Sequence, residues 1–278
     1  MRHLPEVVIA ATAADSGAVL PLMALIKSIA IYAPNTHLVV LSVGLSDHEC
    51  TILARTAAGI SLSICPFNAE MLQRATLQSR HVSRAAYARL FLAECLPELN
   101  RVIWLDADTL VLAGLGPLWS MDMGDALIAA VADEFIDPAE IVATASQMGA
   151  YVNSGVMVIN LLRWRAEGVT QRCRVMMSSP NLMCEDQSVL NSICAGRVKV
   201  LECRWNFHAS RFSQYPIARR YILPSILHYC GQRKPWFERT AFADLYRRHL
   251  PPEIRKNIRA SEMSVFRRLE LARRRLFG

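Results

Sequence analysis

The stretch Val102-Ile103-Trp104-Leu105-Asp106-Ala107-Asp108 decides the fold class and the chemistry expected of this chain. An apolar run precedes two carboxylates, which is the pattern of a buried strand that ends at a polar site. Side chains two residues apart in an extended chain point the same way, so we expect Asp106 and Asp108 to converge. Convergent carboxylates suit Mn²⁺ or, as the alternative, Mg²⁺, and the phosphates of the substrate complete the coordination shell of the ion. The same pair would also serve as strand-end caps without any metal.

Outward from this strand, short apolar runs alternate with longer amphipathic stretches, the pattern of a sheet covered by helices. Strands are predicted at 7–12, 37–43, 60–66, 102–106, 127–133, 152–160, 198–205 and 225–229. Helices are predicted at 16–32, 83–95, 161–177 and 186–194, with one more opened by the capping box Ser46-Asp47-His48-Glu49. This order predicts an α/β fold with a Rossmann-like nucleotide-binding half, although the sequence has neither GxGxxG nor a Walker lysine loop.

Composition and charge narrow the class of protein. Of the 278 residues, 53% are hydrophobic and 20% are charged, which predicts a folded globular protein. The net charge is +7, but residues 251–278 hold 8 basic and 3 acidic residues, and residues 1–250 are nearly balanced. Because residues 1–250 have almost no excess of basic residues, the charge distribution argues against nucleic acid as a partner.

Eight cysteines are spread along the chain without a CxxC pair, so zinc-ribbon and thioredoxin spacings are absent. Residues 7–11 form a strand-like run directly after the N-terminus, where a secretory signal would need its apolar region and cleavage site. Together these features predict reduced thiols and a cytoplasmic protein.

A second polar segment lies far downstream, His228-Tyr229-Cys230-Gly231-Gln232-Arg233-Lys234-Pro235-Trp236. His228 follows an apolar strand and is a candidate metal ligand, which would favour Mn²⁺, although a lone histidine is also an ordinary core residue. Gly231 allows close backbone approach, and Lys234 can neutralise a phosphate.

Two further segments, Asn153-Ser154-Gly155 and Glu185-Asp186-Gln187-Ser188, place short polar side chains at predicted element ends. Sugar hydroxyls are read by paired hydrogen bonds, which such groups provide. Turns and N-caps explain both segments equally well.

Taken together, the segments resemble glycosyltransferase family 8, the retaining nucleotide-sugar enzymes that include bacterial lipopolysaccharide galactosyl- and glucosyltransferases. The resemblance runs from about residue 7 to about residue 240. Its pieces are Ala86-Tyr87-Ala88-Arg89-Leu90, Leu105-Asp106-Ala107-Asp108, Pro117-Leu118-Trp119, Asn153-Ser154-Gly155-Val156, Ile159-Asn160-Leu161, Trp164-Arg165, Asp186-Gln187-Ser188-Val189-Leu190-Asn191, Asn206-Phe207, His228-Tyr229-Cys230-Gly231 and Lys234-Pro235-Trp236.

This resemblance implies a GT-A fold with a mixed central sheet, a UDP-hexose donor, and front-face attack with the leaving phosphate as base. The implied metal ligands are Asp106, Asp108 and His228. The implied donor-binding residues are Thr12, Asp15, His81, Arg89, Asp106, Ala107, Asp108, Gly231 and Lys234. The implied catalytic residues, around the sugar, are Asp133, Asn153, Asp186 and Gln187.

The sequence departs from the family at two informative positions. Where the family has a tyrosine that stacks on uracil, three residues after the first-loop aspartate, this chain has Ala18 after Asp15. Base–aromatic stacking contributes about 1–3 kcal/mol, so the base of the donor is an open question. Where the family often has Asp-Gln-Asp, this chain has Asp186-Gln187-Ser188, which removes one carboxylate from the expected sugar pocket.

Pro251-Pro252 marks the predicted boundary between a GT-A domain, 1–250, and a basic amphipathic C-terminal tail, 251–278. Apolar residues recur at roughly helical spacing among eight basic ones, so the tail is expected to lie on an anionic membrane surface. The alternative is a helix packed on the body. The expected enzyme is a hexosyltransferase acting on a glycan or lipid-linked acceptor in lipopolysaccharide or surface glycan synthesis, peripheral on the inner face of the membrane.

Two other functions fit parts of the sequence. Asp106-Ala107-Asp108, followed by Thr109, is similar to the DxDxT pattern of haloacid-dehalogenase-type phosphatases, with Asp106 as nucleophile, although the threonine comes one position early and about a hundred residues precede a motif that normally sits on the first strand. Ala18 and Ser188 would also fit a catalytically silent, membrane-bound module that binds a nucleotide or sugar.

Overall fold

The central element is a seven-stranded mixed sheet in a computed structural model that describes residues 7–73, 83–178 and 183–256. Its strands lie in the order β3-β2-β1-β4-β7-β6-β8. Their bounds are β1 Val8–Ala14, β2 Thr36–Ser42, β3 Ser61–Pro66, β4 Arg101–Leu105, β6 Ile128–Ala132, β7 Val152–Asn160 and β8 Val198–Leu201. A smaller three-stranded sheet has the order β5-β10-β9, with β5 Thr109–Val111, β9 Phe207–His208 and β10 Ile226–His228.

The first half of the large sheet is parallel and Rossmann-like, as predicted. β1 pairs in parallel with β2 and β4, and β2 with β3. β7 runs antiparallel to both β4 and β6, while β8 is parallel to β6. The mixed sheet therefore confirms the predicted α/β class.

Helices cover the sheet and connect its strands. Their bounds are α1 Val19–Tyr32, α2 Asp47–Thr56, α3 Leu92–Cys95, α4 Gly116–Trp119, α5 Pro138–Ala143, α6 Leu161–Ala166, α7 Val169–Met176, α8 Glu185–Ile193 and α9 Ala243–Arg248. The capping box at the start of α2 is present as predicted, because Ser46 and Glu49 exchange side-chain and backbone hydrogen bonds.

The alternation of side chains along β4 shows how the core forms. Val102 and Trp104 pack into an apolar cluster on one face of the sheet, and Ile103 and Leu105 pack into the cluster on the other face. β4 is therefore buried on both sides, which explains its continuous apolar run. All eight cysteines are free thiols.

Three predicted elements are corrected by the structure. The predicted helix 161–177 is two helices, because Gly168 adopts a left-handed conformation with φ of 60° between α6 and α7. Most of the predicted helix 83–95 is a 3₁₀ helix, Arg84–Phe91, which is buried on several sides. The predicted strand 198–205 ends at Leu201, and the 3₁₀ helix Cys203–Asn206 follows.

The acidic segment is also corrected. β4 ends at Leu105, and Asp106-Ala107-Asp108 forms a tight turn into β5, in which the Thr109 amide donates to the Asp106 carbonyl over 3.0 Å. The carboxylates therefore do not follow an extended chain.

None of the helices in the described ranges combines the length and apolar character that a bilayer crossing requires. The tail from residue 257 onward and His81 lie outside the described residues, so the membrane contact and the role of His81 stay predictions.

Candidate active site

A cleft of about 760 Å³ opens where the carboxyl ends of β1 and β4 meet the start of β7 and the small sheet. Such an edge is where α/β sheets bind ligands. The predicted site residues that line this cleft are Asp15, Arg89, Asp106, Ala107, Asp108, Asp133, Asn153, Asp186, Gln187, His228, Gly231 and Lys234. Thr12, in contrast, is fully buried within β1.

One end of the cleft gathers the two aspartates and the histidine. Nε2 of His228 lies 3.3 Å from Oδ1 of Asp108 and 3.7 Å from Oδ2 of Asp106. β10 brings the histidine there, because it pairs with β5 and sets His228 opposite Thr109, directly after the acidic turn. Tertiary pairing thus joins residues that are more than a hundred positions apart.

The orientation of the His228 ring is fixed by its neighbours. Nδ1 of His228 lies 2.9 Å from Oδ1 of Asn206, whose amide nitrogen donates to Oδ1 of Asn153 over 2.9 Å. This network assigns a proton to Nδ1, so Nε2 is the ring nitrogen that faces the carboxylates. Gly155 makes room for the ring, since a Cβ at that position would lie 2.1 Å from Cε1 of His228.

Lys234 adds positive charge at this end. Its Nζ lies 2.5 Å from Oδ2 of Asp108 and donates to the carbonyl of Tyr229 over 2.8 Å. Burial raises the pKa of Asp108, but Lys234 and His228 outweigh burial and hold that pKa well below its ordinary value. Burial lowers the pKa of His228, but Asp108, Cys230 and Asp106 together outweigh burial, so the net shift is upward.

The residues present fit a divalent metal ion. Asp106, Asp108 and His228 each offer a ligand atom, and these atoms lie within 4.8 Å of one another. Two hard carboxylate oxygens with one imidazole nitrogen suit Mn²⁺ or Mg²⁺, and the Asn206 hydrogen bond is the outer contact that commonly orients a metal-binding histidine.

Arg89 connects this end to the polar middle of the cleft. It is 4% exposed, and its guanidinium lies 2.8 Å from Oδ1 of Asp106 and 3.0 Å from Oδ2 of Asp186. It also donates to the carbonyl and the hydroxyl of Ser154 over 2.6 and 2.7 Å. One buried cation is thereby shared by two carboxylates.

Burial governs the protonation of Asp186. Burial raises its pKa to about 6, and the attraction of Arg89 is too weak to cancel that effect because Asp106 and Glu185 add repulsion. The carboxylate therefore gains its full charge only near neutral pH.

Three amide and acid groups surround the middle of the cleft. Gln187 accepts from the side chain of Asn153 and the backbone of Ser154, each over 3.1 Å, and donates to Oδ2 of Asp133 over 3.1 Å. The Gln187 side chain thus forms hydrogen bonds through both its oxygen and its nitrogen. These bonds bring polar groups from three different parts of the chain together in the middle of the cleft.

The structure also shows what Ser188 contacts, which sequence reasoning missed. Its hydroxyl donates to Oε1 of Glu140, and it accepts the backbone amide of Cys184 over 2.8 Å. Glu140, on α5, is fully buried at the wall of the cleft, and its Oε2 has no hydrogen-bond partner among the described residues. A carboxylate from a distant helix thus lies against position 188, which no local pattern could have indicated.

The other end of the cleft is formed by the loop after β1. Asp15 accepts the amide of Gly17 over 3.0 Å and the hydroxyl of Ser83, and Ala18 lies in the wall beside them. The position expected to carry a stacking tyrosine is therefore a small apolar surface in the cleft.

Comparison with known proteins identifies the family. The family model described as "Glycosyl transferase family 8" matches residues 9–240, which contain every cleft residue discussed above. The chain belongs to glycosyltransferase family 8. The resemblance to this family, predicted from about residue 7 to about residue 240, is confirmed by this match.

Curated relatives of this family 8 chain are similar over part of their length. A "Putative glycosyltransferase" of Haemophilus influenzae is 33% identical over 170 residues, which cover 57% of this chain and 51% of the relative. "Lipopolysaccharide glucosyltransferase WaaO" of Escherichia coli is 27% identical over 181 residues, covering 59% of this chain and 52% of the relative. The matches thus span about half the length of these relatives.

The fold of this family 8 chain is similar to that of the galactosyltransferase LgtC, solved in complex with donor and acceptor sugar analogs. The TM-score is 0.79 at 26% identity, covering 90% of this chain and 99% of LgtC. This likeness confirms the predicted GT-A fold.

Proposed function

We propose that this protein is a metal-dependent retaining glycosyltransferase that moves galactose or glucose from a UDP-sugar to a glycan or lipid-linked acceptor, in lipopolysaccharide or surface glycan synthesis. One observation carries the proposal. Asp106, Asp108, His228 and Lys234 form a charged end of the same cleft in which Asp133, Asn153, Asp186 and Gln187 form a polar middle. A nucleotide-sugar needs both, one for its diphosphate and one for its hydroxyls.

The charged end is suited to a departing diphosphate. Asp106, Asp108 and His228 would hold the divalent ion, which when bound supplies positive charge to the phosphate oxygens. Lys234 can turn from Asp108 toward a phosphate, because an ammonium is a flexible point charge. Gly231, with φ of 81°, allows the backbone to approach the same oxygens.

The polar middle is suited to the sugar. The carboxylates of Asp133 and Asp186 place negative charge where the sugar becomes oxocarbenium-like, and Asn153 and Gln187 hold that arrangement. As the bond between the anomeric carbon and the phosphate oxygen breaks, the acceptor hydroxyl attacks the anomeric carbon from the face that the phosphate leaves. Its proton passes to the departing phosphate oxygen, which accounts for retention without a protein nucleophile.

The proposal is tested by product release from a panel of nucleotide sugars, with Mn²⁺ and with chelator. We expect metal-dependent release of UDP from one UDP-hexose, and a loss of at least about 10²-fold in Asp108→Asn. Asp122→Asn, at an exposed aspartate outside the cleft, is the control and should keep wild-type turnover.

Other outcomes would contradict the proposal. Inorganic phosphate from simple phosphoesters would indicate the phosphatase, which family membership already argues against. Nucleotide binding without turnover on any donor, measured with an acceptor panel, would indicate the silent binding module.

A further inference from the structure

A second group of metal-binding side chains lies beside the aspartates and shares His228 with the first, while the proposed reaction does not use its other two members, His208 and Cys230. His208, His228 and Cys230 each offer one ligand atom, and these atoms lie within 4.8 Å of one another. The rings of the two histidines are nearly perpendicular, with centroids 5.8 Å apart. All three residues line the cleft.

The small sheet creates this group. β9 and β10 are parallel and in register, with His208 opposite His228, so both imidazoles stand on the same face of the sheet. Cys230 lies two residues beyond the end of β10, and its Sγ lies within 4.8 Å of the imidazole nitrogens. Strand pairing thus fixes the two histidines, and the segment after β10 brings the thiol to them.

His208 is the observation that points to a ligand. It is 3% exposed, and its Nε2 is buried without a hydrogen-bond partner among the described residues. Leaving a buried polar atom unpaired costs about 1–3 kcal/mol, a cost that a bound ion would remove. Cys230 is a half-buried free thiol whose Sγ lies 3.6 Å from the hydroxyl of Ser210.

We propose that His208, His228 and Cys230 form a second metal site, selective for thiophilic divalent ions such as Zn²⁺. Two imidazoles and a thiolate, with water as the fourth ligand, match the tetrahedral coordination of Zn²⁺, whereas Mn²⁺ and Mg²⁺ favour oxygen. Binding releases the thiol proton to solvent.

The two sites exclude each other because they share one nitrogen. Nδ1 of His228 is held by Asn206, so Nε2 is the atom available to either ion. An ion bound by His208 and Cys230 therefore takes His228 away from Asp106 and Asp108. The resulting inhibition by Zn²⁺ rests on the proposed function, but the binding of the ion does not.

Metal binding is tested on the full chain without any sugar, using Co²⁺ under anaerobic conditions as a spectroscopic substitute for Zn²⁺. We expect a thiolate-to-cobalt charge-transfer band that Zn²⁺ removes stoichiometrically. Cys230→Ser should lose the band, and the control Cys203→Ser, at a half-buried cysteine outside the cleft wall, should keep it.

Affinity and exclusivity are measured by calorimetry. His208→Gln should weaken Zn²⁺ binding by at least about tenfold, because losing a direct ligand should cost no less than losing an outer-shell partner. The same variant should leave Mn²⁺ binding within about twofold of wild type. One equivalent of Zn²⁺ should prevent Mn²⁺ binding. Absence of the band in wild type, unchanged Zn²⁺ affinity in both variants, or simultaneous binding of Zn²⁺ and Mn²⁺ would overturn the proposal, whether or not the protein transfers sugar.

Discussion

Oδ1 of Asn206 lies 2.9 Å from Nδ1 of His228, and this contact determines that the other ring nitrogen, Nε2, lies toward the two aspartates. Asn206 is fully buried, and its amide nitrogen is held in turn by Asn153, so the acceptor cannot rotate away. A residue from a 3₁₀ helix thereby orients a candidate metal ligand on β10. The relationship makes Asn206 a positioning residue.

Replacing Asn206 with alanine should weaken Mn²⁺ binding by about 10–100-fold, because the ring loses the acceptor that fixes its tautomer. Asn206→Asp keeps an acceptor toward Nδ1 and should recover most of that affinity, whereas Asn206→Leu, of similar size but without an acceptor, should not. A merely space-filling role predicts recovery in both variants. Calorimetric titration of Mn²⁺ checks both, with exposed Asn68→Ala as the control. Equal affinities in Asn206→Ala and wild type would refute the positioning role.

Gly155→Ala should remove metal binding through crowding. The new Cβ would lie 2.1 Å from Cε1 of His228, so the ring must move from Asp106 and Asp108. We expect Mn²⁺ affinity to fall by at least about tenfold. Gly116→Ala is the matched control, since a Cβ there meets no described atom within 4 Å and φ is not in the left-handed region. Similar titrations for the two variants would contradict the expectation.

Asp186 should make stability depend on pH. Its pKa is raised to about 6 in the folded protein, against about 3.9 when unfolded, so between these values only the folded state keeps the proton. Stability from this group is therefore present below about pH 4 and is lost as pH rises through about 6, by up to about 3 kcal/mol.

The measurement is urea unfolding of wild type and Asp186→Asn from pH 4 to pH 7. The free energy of unfolding of wild type should fall relative to that of the variant across this range, because asparagine does not titrate. Parallel curves for the two proteins would show that the carboxyl has an ordinary pKa.

Restoring the family's aspartate at position 188 should be harmful here. In Ser188→Asp a second carboxylate would replace the hydroxyl that donates to buried Glu140, leaving charge uncompensated. We expect a loss of unfolding free energy on the order of 3–5 kcal/mol. Adding Glu140→Gln should recover part of it, with a coupling energy of about 0.5–3 kcal/mol in a double-mutant cycle. Additive effects in urea unfolding would disprove the pairing of these two positions.

The sequence by itself predicted the elements whose cause is local. The apolar run before Asp106 predicted a buried strand, and the Ser46 capping box predicted the start of α2. Both depend on side-chain periodicity or on contacts within one helical turn, which are visible in consecutive residues. Motif order likewise predicted the family, because the motifs are specific when they occur together.

Short elements without periodicity were not predicted. β5 has three residues and β9 has two, so neither carries an alternating pattern, and each exists because β10 pairs with it. The acidic segment was predicted as extended. It forms a turn instead, because the chain leaves β4 in the large sheet there and enters β5 in the small sheet.

Only the tertiary structure decided which side chains act together. The residue patterns gave the pair Asp106 and Asp108 as one signal and His228 as another, and only the family resemblance implied that the three bind one metal. Strand pairing between β5 and β10 is what brings them together. The contacts of Asn206 with His228, and of Glu140 with Ser188, join residues far apart in the chain. Local sequence encodes backbone periodicity and caps, whereas the partner of a buried polar group is fixed by packing, and it is packing that determines the chemistry of this cleft.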